Sequence, residues 1–600
     1  MQSRGSLPAR KEIPEQYKWR LADIYASDEM WEQDFQAVKK LSEEIDAYRG
    51  QVGQSASSLL AVLQLGYRLR ELNERVYTYA RMRRDEDNTD PVYQALTDRA
   101  ASLHTLAQTA LSFIEPEILE IPPAALARYR LEEPGLTLYG FALDEMLRQK
   151  DHVLSAAEER IIAGVGEVTQ APANIFKMIN NADMTFSAIW DEEGNKVEVT
   201  HGRYGQFMES PHRRVRREAF ASLYSSYRKL QNTLAATLAA SVKKDVFYAR
   251  ARRFPGALPA SLFADNISPR VYDNLIQTVR RNLGAMHRYA ALRKKLLGLD
   301  ELRMYDLYVP IIKDVKWDMP YPDAVELVKD GLAPLGAVYG EIMSRGFTEG
   351  WTDVFENKGK TSGAYSWGPY GVHPYILLNY QGNLNNVFTI AHEMGHAMHS
   401  YFAYSEQPYL YAHYTIFTAE VASTVNESLL MDHLLQTVGE RKKKLYLLYH
   451  YLEQFRGTVF RQTMFAEFEK IIHEKTEQGQ ALTPALLRQV YRRLNADYYG
   501  PEMVVDEDLE FEWARIPHFY SAFYVYKYAT GFSAAAAITR RILAEGAAAV
   551  DRYLGFLKKG GSDYPLNLLK SAGVDMATPE PVQEGLDLFS RLLDQVEDLT

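Results

Sequence analysis

Residues 391–400, AHEMGHAMHS, place three histidines and a glutamate within ten positions. On an α-helix, residues four apart share a face. His392 and His396 can therefore present both imidazoles to one ion, with Glu393 bordering the same place. Zinc suits such a set, because it accepts imidazole and carboxylate ligands and keeps a position for water. In a chain with 14 histidines and 78 acidic residues, this spacing arises by chance about 0.04 times. The pattern thus points to a metal site without deciding it, since a solvated helix face can carry the same residues.

Three neighbouring features favour chemistry. Gly395 sits inside the expected helix, where it costs about 1 kcal/mol relative to alanine, a choice that makes sense where something approaches the backbone closely. Ala391 and Ala397 keep the same helix slim. A hydrophobic strand, Pro374–Tyr380, precedes it and offers an edge to which an extended peptide can add through main-chain hydrogen bonds. Downstream, FTAEVASTVNESLL (Phe417–Leu430) carries Glu420 and Glu427 on one helical face, with Ala419 and Ala422 small enough for close packing. Glu420 is the expected third ligand. Glu427 either holds a ligand imidazole from outside or makes an ordinary ion pair. His399 is expected to make a structural hydrogen bond. His373 and His413 lie in Tyr-rich loops, where a structural role and contact with substrate are both open.

The elements that must position these residues are mostly helical. Ala56–Arg84, Pro91–Ile121 and Asp144–Asn180 show apolar residues at three- and four-residue spacing. Met184–Val199 reads as a β-hairpin turning at Asp191–Asn195. A helix is expected to start at Ser210-Pro211, and its basic run HRRVRREAF reads as a solvated face. Helices fill Ser210–Gly298. A Gly-, Tyr- and Pro-rich stretch, Lys358–Asn386, carries the strand, and Gly560-Gly561-Ser562 reads as a loop. The expected architecture is mainly α, with a small sheet beside the His392 helix. The expected division is an N-terminal helical lobe, residues 1–200, ending in the hairpin, and a catalytic lobe, residues 201–600.

Composition narrows the chemistry. There are no cysteines among 600 residues, which removes thiol catalysis, disulfide scaffolds and Cys-based zinc ribbons. A net charge of −10 with interspersed signs gives no basic surface for nucleic acid. No apolar run approaches the ~20 residues of a membrane span, and no apolar leader is seen, so a soluble cytoplasmic protein is expected.

With these motifs in hand, the sequence resembles the zinc oligopeptidases of the thimet oligopeptidase group, oligoendopeptidase F in particular. The likeness is carried by YILLNYQGNLNNVFTIAHEMGHAMHSYF (375–402), FTAEVASTVNE, RIPHFYSAFYVYKYATGFSAA (515–535), GGSDYPLNLLKSAGVDM (560–576) and the N-terminal YKWRLADIY (17–25). It implies two helical lobes enclosing a deep channel that admits short unfolded peptides. It also implies one Zn2+ on His392, His396 and Glu420, and hydrolysis of internal peptide bonds by metal-activated water with Glu393 as general base. A histidine and a tyrosine stabilise the tetrahedral intermediate in such enzymes, roles that fall here to His518 and Tyr526. Tyr520, Tyr524 and His413 are assigned to substrate contact, while Tyr520, Tyr524 and Tyr528 also compete with Tyr526 for the oxyanion role. A related zinc exopeptidase and a non-catalytic peptide-binding scaffold are the rival readings.

Overall fold

The computed structural model of the chain describes residues 7–312, 315 and 317–600. It is mainly helical, and the described strands form one three-stranded and two two-stranded sheets. No helix among the described residues is long and apolar enough to cross a membrane.

The chain divides into two compact units, each discontinuous in sequence. The first takes in Met1–Asp151, Lys316–His433 and Ile538–Gly573; the second takes in His152–Val315, Leu434–Ala537 and Val574–Thr600. The boundary expected at residue 200 falls inside the second unit. The hairpin of Ile189–Trp190 and Lys196–Val197 is followed by the helix His201–Glu209 and packs on the next one, Arg213–Lys229, through Arg214 to the Trp190 carbonyl (2.9 Å) and Ser222 to the Ser187 carbonyl (2.7 Å). That helix begins two residues later than expected. The Ser210 hydroxyl accepts the His212 N–H in a short turn, and His212 becomes the cap. Part of its basic run turns inward, since Arg213 and Arg216 both reach the buried Asp306 at 2.8 Å, while Arg214 and Arg217 stay exposed as a solvated face.

In the first unit, Asp28–Asp46, Ala56–Glu86 and Pro91–Leu111 pack as three helices around Trp31, Leu59, Val62 and Leu103. The long apolar pattern after Pro91 is broken at Ser112-Phe113 and resumes as Ile114–Glu120. Asp144–Asn180 is likewise interrupted: Gly140–Arg148 belongs to this unit, whereas Ala156–Gly164 and Gly166–Met178 are separate helices of the second unit. Tyr375 and Leu377 belong to the core built around Trp31, Leu59, Val62 and Leu103, which anchors the three-stranded sheet to the first unit's helices.

In that sheet, Tyr375–Leu377 is the central strand. It runs parallel to Thr352–Asp353 and antiparallel to Tyr365–Trp367. The expected Pro374–Tyr380 strand exists, but both of its sides are occupied, and the edge next to the His392 helix belongs to Tyr365–Trp367. Lys360 locks the sheet from below. Its fully buried ammonium meets Asp353 at 2.7 Å and the carbonyls of Phe355 (2.7 Å) and Leu378 (2.6 Å). Such a charge is tolerable inside a protein only when paired and hydrogen-bonded in this way.

Candidate metal centre and active site

The helix Leu384–Glu406 carries HEMGH. Asn383 caps it by accepting the Asn386 N–H at 3.0 Å, and most of its length is buried. The second helix, Ile416–Thr437, carries Glu420 and Glu427. Gly395 lets the two meet: a Cβ there would lie 2.5 Å from Ser423 Cα and 2.7 Å from the Ala422 carbonyl oxygen. Asn426 pins the crossing by donating to the Ala391 carbonyl at 3.0 Å and accepting from the Tyr339 hydroxyl at 2.9 Å. An Asn inside a helix is an unfavourable choice unless its amide has such partners.

This crossing brings three lone-pair donors together. His392 Nε2 and His396 Nε2 are 3.2 Å apart, and Glu420 Oε2 lies 3.4 Å from the first and 3.7 Å from the second. Ligand bonds near 2.0–2.1 Å in a tetrahedral arrangement imply donor separations of about 3.3 Å. The observed triangle is therefore the right size for one zinc-like ion. Three carboxylates, Glu393, Glu420 and Glu427, surround the two imidazoles, a charge set that a divalent cation balances.

The outer contacts orient the ligands. His392 Nδ1 bonds Glu427 Oε1 at 2.5 Å, which leaves its Nε2 lone pair facing the triangle. Burial pulls the His392 imidazole down, but the Glu427 bond and the nearby carboxylates outweigh it and push it up to about 9. His396 is drawn down to about 3 by burial and by His392, while its ring hydrogen-bonds the Ala419 backbone. The sequence leaves Glu427 open between two roles, and the structure gives it the bond to the imidazole.

Glu393 is 7% exposed, and burial raises its carboxyl to about 7, helped by Glu420 and Glu427 and opposed by His392 and a backbone hydrogen bond from Ser366. That bond follows from the sheet. Ile376 donates its N–H to the Trp351 carbonyl (2.8 Å), so its antiparallel partner Ser366 is a non-bonded pair whose N–H and C=O point outward. Sequence reading misses Ser366, because a backbone group leaves no residue signature. Asn426 did leave one, an Asn between Glu420 and Glu427.

The remaining residues separate clearly. His399 is 1% exposed and stacks on Tyr414 with ring centres 3.6 Å apart, with neither nitrogen hydrogen-bonded to a described residue. Burial holds it neutral, drawn down to about 3. Stacking thus replaces the expected hydrogen bond. His413, half exposed, pairs with Glu74 (3.0 Å), while His373 pairs with Asp23 (2.9 Å) and stacks on the face of Trp351. In the second unit, His518 lies parallel to Tyr524 at 6.2 Å, and Tyr528 meets both edge-on at 6.1 and 5.5 Å. Burial lowers the His518 imidazole. Tyr520 is stacked on Phe176 (4.5 Å) and bonded to Thr237 (2.9 Å). Tyr526 is 0% exposed, packed against Tyr272 at 5.1 Å. Tyr526, the expected oxyanion donor, thus lies in the core, while Tyr524 and Tyr528 are the phenols gathered at His518.

Fold and site together define a metallopeptidase. Residues 206–588 match the profile of Peptidase family M3, and residues 117–186 match that of Oligopeptidase F. The chain belongs to peptidase family M3. It is 48% identical to Oligopeptidase PepF of Bacillus subtilis, over 99% of this chain and 89% of the relative, and 41% identical to the Group B oligopeptidase PepB of Streptococcus agalactiae, over 98% of both. Among solved structures, oligoendopeptidase-F from Enterococcus faecium is 38% identical with a TM-score of 0.74, covering 95% of this chain and 99% of that one. A Chlamydophila abortus protein of solved structure is 34% identical with a TM-score of 0.93, over 99% of this chain and 100% of that one.

Proposed function

We propose that the protein is a zinc-dependent oligoendopeptidase that cuts internal bonds of short, unstructured peptides in the cytoplasm. One observation carries the reading: the triangle of His392 Nε2, His396 Nε2 and Glu420 Oε2, with sides of 3.2–3.7 Å, stands beside a buried glutamate. A zinc ion on these three residues supplies Lewis acidity toward a water molecule and the scissile carbonyl. Glu393, poised near pH 7, takes the proton of the attacking water and returns it to the leaving amine. The Ser366 N–H keeps that carboxylate aimed. Glu427 fixes the tautomer and angle of His392. The outward edge of Tyr365–Trp367 offers the Ser366 carbonyl to the substrate main chain, and the resemblance to zinc oligopeptidases assigns the oxyanion contact to His518 and a tyrosine of the same segment.

The relatives' names, oligopeptidase and oligoendopeptidase, support the substrate class and the internal cut. The test is a peptide blocked by acetylation and amidation, digested with and without chelator and read by mass spectrometry. Chelator-sensitive internal fragments are expected. Release only from unblocked ends would make the enzyme an exopeptidase.

A further inference from the structure

The second unit holds a buried acid that the mechanism above does not use. Glu469, on the helix Arg461–Glu477, is 0% exposed, and its Oε1 accepts the Phe523 backbone N–H at 3.1 Å. Phe523 stands at φ 55°, in the left-handed region that a bulky L-residue seldom adopts. The turn around it has two further anchors. The Ser261 hydroxyl donates to the Ala522 carbonyl at 3.0 Å, and the Phe523 ring is buried against His473 (4.5 Å) and edge-on to Tyr272 (5.7 Å).

This turn lies between the short helical turn Pro517–Tyr520, which carries His518, and the helix that opens at Tyr526. A residue at positive φ reverses the local chain direction, so it sets where Tyr524 and the helix beyond it point. With Phe523 at an ordinary negative φ, Tyr524 would leave the face of His518.

Glu469 Oε2 has no hydrogen-bond partner among the described residues. Burial pushes this carboxyl well above its ordinary range, and the Asp245 charge adds to the effect. The neighbouring His473 aims neither ring nitrogen at this carboxyl: its Nδ1 faces the Glu469 backbone carbonyl at 2.8 Å and its Nε2 faces Asp245 at 3.4 Å. A buried acid with one idle oxygen is a poor filler for a core, where an apolar side chain of the same size leaves nothing unsatisfied. Its one directed act is the bond to Phe523.

We propose that Glu469 is a positioning residue for the peptidase reaction: by accepting the Phe523 N–H it holds the left-handed turn that sets Tyr524 and Tyr528 against His518. This rests on the reading that His518 and its tyrosines serve the oxyanion.

The test compares Glu469→Leu, Glu469→Gln, Ser261→Ala and His518→Ala in the zinc-loaded full chain, measuring kcat and KM on one blocked peptide together with zinc content and thermal midpoint. Loss of the acceptor in Glu469→Leu is expected to lower kcat about 30-fold, with KM and zinc content unchanged. Glu469→Gln keeps an oxygen acceptor and is expected to restore kcat to within about threefold of wild type. Ser261→Ala, at an exposed residue, removes the second tether and is expected to lower kcat about threefold without moving the midpoint, which keeps the proposal testable should the leucine variant not fold. Wild-type kcat in Ser261→Ala and in a folded Glu469→Leu would overturn the proposal. An undiminished kcat in His518→Ala would instead sink the reading of the whole segment. An impaired His518→Ala beside an unimpaired Glu469→Leu would sink only the role of Glu469.

Discussion

Gly395 and Ser423 touch backbone to backbone: a Cβ added to the glycine would stand 2.5 Å from Ser423 Cα. The close approach joins the helix that supplies two imidazoles to the helix that supplies Glu420. Gly395→Ala must push them apart. The expected result is a destabilisation of about 1–3 kcal/mol by denaturant titration, with weakened zinc binding in the folded fraction. Unchanged stability and unchanged zinc affinity would show that the crossing has slack.

Glu427 reaches His392 Nδ1 at 2.5 Å, and this bond aims the Nε2 lone pair. Glu427→Gln keeps an acceptor but loses the charge. Zinc affinity, measured against a competing chelator, is expected to fall about tenfold, while the loaded enzyme keeps most of its kcat. Full affinity in the variant would return Glu427 to an ordinary ion pair.

The Ser366 N–H stabilises the ionised form of Glu393 and so lowers its pKa. Ser366 lies on an edge strand with this N–H pointing away from its neighbour, so proline there removes one bond and no rung of the sheet. A base must be ionised to act, and its acid limb in kcat/KM is expected near pH 7 in the wild type. In Ser366→Pro the carboxyl loses a stabilising donor, its pKa rises, and the acid limb moves to higher pH. A limb that stays in place would disconnect Ser366 from the base.

Tyr526 and Tyr528 make opposite predictions. Tyr526 is sealed against Tyr272, so Tyr526→Phe is expected to keep kcat within about twofold. Tyr528 stands at His518, so Tyr528→Phe is expected to lose about tenfold or more in kcat if it is the phenol that donates. Steady-state kinetics on a single peptide decides it, and a strong loss in Tyr526→Phe alone would restore the assignment the sequence suggests.

These contrasts show what the sequence carries. His392, His396, Glu420 and the need for Gly395 are legible because a helix converts spacing into direction, so i, i+4 and i, i+7 relations survive in one dimension. The edge strand is not legible in the same way. Pro374–Tyr380 looks like an edge from composition, but pairing on both sides is set by Thr352–Asp353 and Tyr365–Trp367, which lie elsewhere in the chain. The four tyrosines at 520, 524, 526 and 528 cannot be ranked by period. The chain passes from a helical turn through a left-handed residue at Phe523 into a helix, and no single periodicity spans that path. The division into units is hidden for a related reason, since each unit is assembled from three separate segments.

The central claim is that His392, His396 and Glu420 hold the ion while Glu393 moves the proton. Zinc content and peptide cleavage measured together on Glu393→Gln test it most directly, with Glu420→Ala alongside. One zinc per chain and a loss of cleavage of at least about a thousandfold are expected in Glu393→Gln, with zinc lost in Glu420→Ala. A Glu393→Gln enzyme that binds zinc and still cuts at the wild-type rate would contradict it.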